Sequence, residues 1–398
     1  MKRILILGAM ATHVPVIKRA KERGLYVITC DYIPENEGHG YADEAYYYST
    51  TDFEAVESLA RGKNIDGILT FCSDPAALTA SVVAERLNLP GSNYTAVKIM
   101  SEKDLFRDFL RENDFNVPKY KSYSDWENLE RDLDSFDFPL LLKPVDSSGS
   151  KGVVKIHTKK DLKHCYLNAL SYSRSKRVIV EEYIEPLGKQ IHGDAFVLDN
   201  KVKFIKLCDQ YFDSSTGGII PYSSCYPSSH IQKDIKRVEK EISRFISIVG
   251  FGQGGINVEA RISKSDHKVY LIEIGPRNGG NCIPQLLQYA TGYNFIDTAI
   301  DCALGLPYSE QTVNDNGFFS QLILRAKGNG ILKNVVVDKK LEEKIIYRCT
   351  IRGLETNICA MDPASSTIAV LIASYQSLQE MESFVNDFQY LYNIEQDQ

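Results

Sequence analysis

Between Gly254 and Gly280 the chain reads G-G-I-N-V-E-A-R-I-S-K-S-D-H-K-V-Y-L-I-E-I-G-P-R-N-G-G, and few structures accommodate that stretch. Two apolar-rich runs, Ile256–Arg261 and Lys268–Ile274, flank a polar turn at Ser265-Asp266-His267, which predicts a β-hairpin. Centred on Asp266, the hairpin sets Glu259 directly opposite Glu273. The two-residue period puts Asn257 on their face and sends Ile256, Val258, Ile272 and Ile274 to the other, apolar face. Directly opposed side chains stand about 5 Å apart at Cβ, and like charges there repel. A hard divalent cation bridging the carboxylates removes the conflict, and Mg2+ takes carboxylate oxygens together with substrate phosphates. Two other readings stay open: a register one residue off, or neutralisation by Arg261 and Lys268.

With 398 residues, two or three domains are expected rather than one. Residues 1 to about 92 alternate strand and helix signals. Arg3–Gly8 is an apolar strand, Thr12 a candidate N-cap, and Gly24 closes a helix ending at Arg23. Leu25–Cys30 and Gly67–Phe71 are further strands, with helices from about Asp52 and after Pro75. Such units predict a parallel, Rossmann-like sheet. The first turn, Gly8-Ala-Met-Ala-Thr-His13, has one glycine where a dinucleotide-binding turn needs three. Asp31 could still meet a ribose, but NAD is not expected. Ser101–Glu112 is predicted helical with Ser101 as its N-cap. From about 95 to 305 the texture becomes α+β, with antiparallel strands such as Ala195–Leu198 and Val202–Leu207 joined at Asp199-Asn200. The last ~90 residues mix short strands with a helix near Ser377–Asp387.

Two further segments suggest nucleotide chemistry. Lys143 ends the apolar run Phe138–Pro144 and needs an anionic partner or a route to water. The Gly/Ser-rich loop Asp146-Ser-Ser-Gly-Ser-Lys-Gly152 follows at once. It offers backbone N–H groups and hydroxyls to phosphate oxygens, or is a plain turn; Walker A spacing is absent. Val178–Ile184 (V-I-V-E-E-Y-I) suits a purine edge covered by Tyr183 and Ile184, or is an edge strand with a solvated end.

A net charge of −6 gives no electrostatic case for nucleic acid or an anionic membrane. No apolar run approaches the ~20 residues that span a bilayer. Met1–Met10 reads as a first strand rather than a secretory signal. Nine scattered cysteines without a C-x-x-C pair speak against a disulfide framework and against zinc. A cytoplasmic location is expected.

In this order, the segments together resemble the ATP-grasp superfamily of carboxylate–amine ligases over roughly residues 1–310. The resemblance extends to L-amino-acid ligases and phosphoribosylglycinamide-synthetase-like proteins, and to the biotin carboxylase and carbamoyl-phosphate synthetase group. It implies an α/β and α+β chain in three parts: a Rossmann-like domain at 1–95, an ATP-grasp domain at 96–308 and a small mixed domain at 309–398. It also implies ATP with Mg2+, or alternatively Mn2+, as cofactors. By resemblance, Lys103 and Lys143 are the phosphate lysines, and Asp146–Gly152, with Ser148, Gly149 and Ser150, is the loop closing over the phosphates. Glu181, Glu182, Tyr183 and Ile184 form the hinge, where the Glu182 carbonyl and the Ile184 N–H bind adenine. Glu259 and Glu273 are the metal carboxylates, and Arg277 steadies the acyl phosphate and the oxyanion.

Three departures stand out. Gly275 occupies the place of a usual metal-ligating Asn, a role that Asn257 or Asn278 could take over. Gln190 replaces the ribose-binding Glu. The Gly/Ser/Tyr-rich segment Asp209–Ser229 matches no family element and is either a substrate-covering loop or a plain surface loop. The implied activity is ADP-forming ligation of a small carboxylate and an amine, an amino acid or small metabolite, through an acyl phosphate. A purine-pathway ligase and a non-catalytic ATP-binding protein are the alternatives. A homodimer is common among such ligases, but no interface is legible in the sequence.

Overall fold

The computed structural model describes residues 1–360 and 363–397. Four parallel strands open the chain. Their spatial order is Glu44–Tyr46, Tyr26–Cys30, Arg3–Leu7 and Gly67–Leu69. Near-continuous apolar runs suit strands that helices cover on both faces, and Ile4 to Leu7 are fully buried. Thr12 does not cap the first long helix. It lies in a short 3-10 turn, Ala11–His13, and the helix Val14–Glu22 starts with Pro15 in its first turn. Asp52 does cap the next helix, accepting from the Ala55 N–H at 3.0 Å.

An eight-stranded antiparallel sheet forms the centre. Its order is Val269–Gly275, Gly254–Ile262, Gln190–Leu198, Lys201–Phe212, Pro221–Tyr226, Phe318–Arg325, Thr367–Tyr375 and Ile345–Thr350. Strands from beyond residue 309 therefore extend the same sheet that carries the glutamates. One face buries Ile191, Ala195, Ile256, Val258 and Ile274 under the helix Gln232–Val249. That helix buries Ile235, Val238, Ile242, Phe245 and Ile246, one stripe at helical spacing, and ends at Gly250 with φ 70°. The other face packs on the helix Ile283–Thr291 and on the first sheet, through Cys208, Tyr226, Leu286 and Ile4.

A smaller antiparallel sheet has the order Tyr120–Tyr123, Val178–Glu182, Leu140–Pro144 and Val154–Ile156. A three-stranded sheet, Asn357–Ile358, Gly330–Val337 and Tyr392–Asp397, lies near the end of the chain.

Two further sequence expectations are corrected. Ser101 is the last residue of a helix Tyr94–Ser101, and the chain breaks at extended Glu102, which caps the separate helix Lys103–Glu112. The break places Lys103 in the first turn of its helix. Asp209–Ser229 is mostly a hairpin of the central sheet rather than a loop. Asp209 pairs with Cys225, and only the tip around 213–220 leaves the ladder.

Candidate functional site

The hairpin carries Glu259 directly opposite Glu273 and Asn257 opposite Gly275. Nearer the turn the register differs by one: Ala260 faces Leu271 and Ile262 faces Val269. Ile272 is the extra residue of a β-bulge between the two registers. This corrects one expectation. Leu271 and not Ile272 belongs to the apolar core, whereas Ile272 lines the cleft beside Glu273. Nor do Arg261 and Lys268 pair with the two glutamates. Arg261 donates to Gln190 Oε1 at 2.6 Å and to the Ile184 carbonyl at 2.9 Å, and Lys268 lies 3.8 Å from Asp266. Glu259 receives one amide N–H, from Gln190 Nε2 at 3.0 Å. Burial first, and the facing Glu273 second, push its carboxyl up to about 7.

Lys143 has the anionic partner it needs. Its Nζ lies 2.6 Å from Glu181 Oε2 in the interior. Arg107, 2% exposed, donates to Glu181 Oε1 at 2.9 Å and reaches Oε2 at 3.4 Å. Burial alone would raise the Glu181 carboxyl, but the two cations outweigh it and hold it down to about 2. Burial lowers the Lys143 ammonium, as does the Arg107 charge, while Glu181 acts the other way.

Lys103 stands across the same cleft. Its Nζ donates to the Ser147 carbonyl at 2.6 Å and lies 4.0 Å from Glu273. Ser147, Ser148, Lys151 and Asp146 from the Gly/Ser loop line the cleft with Lys103, Glu273 and Gly275. Asp146 pins the loop's base, accepting from Ser175 N at 2.7 Å and Ser173 Oγ at 2.9 Å. Gly149 and Ser150 both have positive φ, 65° and 59°, and Ser150 Oγ donates to the Ile219 carbonyl at 3.3 Å.

In the hinge, the Glu181 side chain turns inward to Lys143 and Arg107 instead of toward the cleft's rim. The Tyr183 ring lies between Lys155 Nζ, 3.5 Å from its centroid, and the Arg261 guanidinium at 4.8 Å. Gln190 has its amide fully engaged. Both N–H groups go to Gln210 and Glu259, and its oxygen accepts from Arg261. It therefore sits beside the paired glutamates.

Arg277 is latched to the start of the helix Asp74–Arg86, with Nη2 2.5 Å from Asp74 Oδ2 and Nη1 donating to the Asn278 carbonyl at 2.9 Å. Its Nε is buried without a partner among the described residues. A Cβ at 275 would make ordinary van der Waals contact with this latch, 3.4 Å from Asp74 Oδ1 and 3.5 Å from Arg277 Cζ. The amides of Asn257 and Asn278 both donate to Asp194, at 2.8 and 3.3 Å, and the Gly279 N–H joins them at 2.8 Å. Asp194 is fully buried, and burial holds its carboxyl up near 6.

Residues 136–285 match the model of the ATP-grasp domain. Over those residues the chain is similar to the ATP-grasp domain. Among similar proteins, the carbamoyl phosphate synthase large chain of Thermoanaerobacter pseudethanolicus is 23% identical over 73% of this chain, and the chain spans 27% of that relative's length. A formate-dependent phosphoribosylglycinamide formyltransferase from Wolinella succinogenes is 26% identical over 69% of this chain and 70% of its own. Of solved structures, an L-amino acid ligase from Bacillus licheniformis superposes with a TM-score of 0.83 at 21% identity, over 100% of this chain and 99% of that one. A phosphoribosylglycinamide synthetase from Anaerococcus prevotii gives 0.77 at 21% identity, over 100% of both chains. At these identities the structural likeness concerns the fold.

Three residues not singled out from the sequence tie the site together: Arg107, Asp194 and Asp74. Arg107 had a signal, since it stands four residues after Lys103 and so on the same helix face. Asp194 alternates with Gln190 and His192 along one strand. Asp74 had none, because its partner is 203 residues away.

Proposed function

We propose that the chain is an ADP-forming carboxylate–amine ligase of the ATP-grasp type, acting on an amino acid or small metabolite. The observation that carries this reading is the opposition of Glu259 and Glu273, with Glu273 lining a cleft together with Lys103 and residues of the 146–152 loop. Two like-charged carboxylates, one of them pushed toward its protonated form, make a donor set that fits a hard divalent cation. Mg2+ held there supplies positive charge to the phosphate oxygens of ATP. Mn2+ suits the same ligands.

Lys103 and Lys143 orient the phosphates, and the N–H groups of Ser148, Gly149 and Ser150 close over them. The Glu182 carbonyl and the Ile184 N–H read the adenine edge, flanked by Tyr183. A carboxylate oxygen of the substrate attacks the γ-phosphorus, the bond to the β,γ-bridging oxygen breaks, and ADP leaves. The amine lone pair then attacks the acyl carbon while Arg277, through its free Nε–H, stabilises the oxyanion. Phosphate departs with the C–O electron pair, and the amine proton passes to solvent. In this reading the parts are a first domain at 1–95, the ATP-grasp part at 96–308 and a small part at 309–398. The run Glu273–Asn281 supports an amino-acid or small-metabolite substrate.

The test is a screen of carboxylate and amine pairs with Mg·ATP, read as ADP release. ADP release that depends on both partners is expected. Nucleotide binding without ADP release for any pair would leave a non-catalytic ATP-binding protein.

A further inference from the structure

Strand alternation alone does not bring Glu259 and Glu273 to one face. At the turn end of the hairpin Ala260 faces Leu271 and Ile262 faces Val269. Continued without interruption, that register would set Glu259 against Ile272 and Glu273 against Val258. Glu273 would then point into the apolar face, because a one-residue slip exchanges the faces of a strand. The bulge at Ile272 restores it to the side of Glu259. A bulge interrupts the ladder, so the carbonyls around it need other donors. The carbonyls of Leu271 and Ile272 both accept from Arg107, at 3.1 and 2.9 Å.

We propose that Arg107 is the positioning residue of the metal site: its guanidinium clamps the bulge that keeps Glu259 and Glu273 on one face. The same group holds Glu181, the counter-ion of Lys143, so one side chain ties the carboxylate pair to a phosphate lysine. The role needs arginine. Its planar fork spans the Glu181 carboxylate and two successive carbonyls at once, whereas a lysine ammonium is a single point of charge that keeps the ion pair and releases the bulge.

The inference rests on the proposed reading of the cleft as a metal–nucleotide site, and the experiment separates the two. Mn2+ is titrated by electron paramagnetic resonance into the full chain, with ADP affinity measured separately in EDTA. Arg107→Lys is expected to fold with a lower melting temperature, because the Leu271 and Ile272 carbonyls lose their donor, and to keep the metal-free ADP affinity but weaken Mn2+ binding at least about tenfold, as loss of a residue orienting metal ligands does. Unchanged Mn2+ affinity in Arg107→Lys overturns the clamp. Failure of the unaltered chain to bind Mn2+ or ADP overturns the reading of the cleft, and the clamp with it. Should Arg107→Lys not fold, Arg107→Met tests the clamp with an apolar side chain of similar length and leaves the buried pair of Glu181 and Lys143 intact. It should fold and show the same Mn2+ loss; full Mn2+ affinity there also overturns the clamp.

Discussion

Glu181 and Glu259 lie in one network and are driven in opposite directions. Both are withdrawn from bulk water, which by itself favours the protonated acid. Glu181 has Arg107 at 2.9 Å and Lys143 at 2.6 Å and is held down to about 2. Glu259 faces Glu273, receives one amide N–H, and is pushed up to about 7. The first carboxylate is completed by the protein, and in the proposed reading the second is completed by a bound cation. A cleft for a charged nucleotide needs both kinds. One fixes a lysine before the ligand arrives, and the other leaves a deficit of positive charge for the ligand to fill.

The largest expected effect removes the ligand-completed side. Glu273 is part-exposed, so Glu273→Ala should leave melting within a few degrees while lowering ADP formation about a thousandfold, the scale of losing a transition-state charge stabiliser. Near-normal ADP release from that variant would detach the carboxylate pair from catalysis. The two glutamates should then differ in stability. Glu181→Gln strands Arg107 and Lys143 against a neutral amide, and breaking a buried pair costs about 3–5 kcal/mol. Glu259→Gln removes a like-charge repulsion, so without metal it should be neutral or slightly stabilising. Urea unfolding in EDTA reads both, and similar losses for the two would erase the contrast.

The same contrast has a pH signature. A carboxyl whose folded-state pKa lies above its unfolded value contributes stability at low pH, and that contribution is lost as pH rises through the folded value. For Glu259 the window runs from the ordinary carboxylate range up to about 7. Metal-free chain should therefore lose stability from this group across that window, while Mg2+ at about a hundredfold excess over its dissociation constant should restore about 2.7 kcal/mol at pH 7.5. At pH 5.5 protons compete for Glu259, and the Mg2+ shift in melting should shrink. An equal Mg2+ shift at both pH values would mean that the pair is not where the cation binds.

The sequence made the pair visible and hid what builds it. Opposition of Glu259 and Glu273 follows from centring the turn on Asp266, yet the turn end of the hairpin is in a different register. The bulge at Ile272 makes up the difference. Bulges leave little local trace in a sequence, and what holds this one comes from a helix about 165 residues earlier. Lys143 was legible as a buried charge seeking a partner, but identifying the partner required the pairing of Leu141 with Glu181. The first sheet and the hairpin turn at Asp199-Asn200 were legible because apolar runs and turn residues are local signals. Helix starts were less so. Thr12 and Ser101 have the right chemistry for caps, but Pro15 and extended Glu102 set the starts instead. Asp209–Ser229 carried turn-forming composition and still entered the sheet, because its neighbours Gln190–Leu198 and Phe318–Arg325 supply both ladders.

The smallest effect is expected in the loop, where fixed and ligand-completed parts meet within seven residues. Its base is fixed by Asp146, which accepts from Ser175 N, Ser173 Oγ and Arg174 N at 2.7, 2.9 and 3.1 Å. At its tip Ser150 Oγ donates to the Ile219 carbonyl at 3.3 Å, and Ser150 adopts φ 59°, where a Cβ is disfavoured. Ser150→Ala loses a hydrogen bond and keeps the strain; Ser150→Gly loses the bond and relieves the strain. If the tie holds the tip ready for phosphate, Ser150→Ala should raise the KM for ATP about threefold with kcat little changed, the scale of part of one neutral hydrogen bond. Ser150→Gly should raise it less, because glycine occupies the required conformation freely. Initial rates of ADP release at varied ATP decide the order. A larger rise for glycine than for alanine would mean that the loop is governed by its flexibility and that the Ile219 contact is incidental.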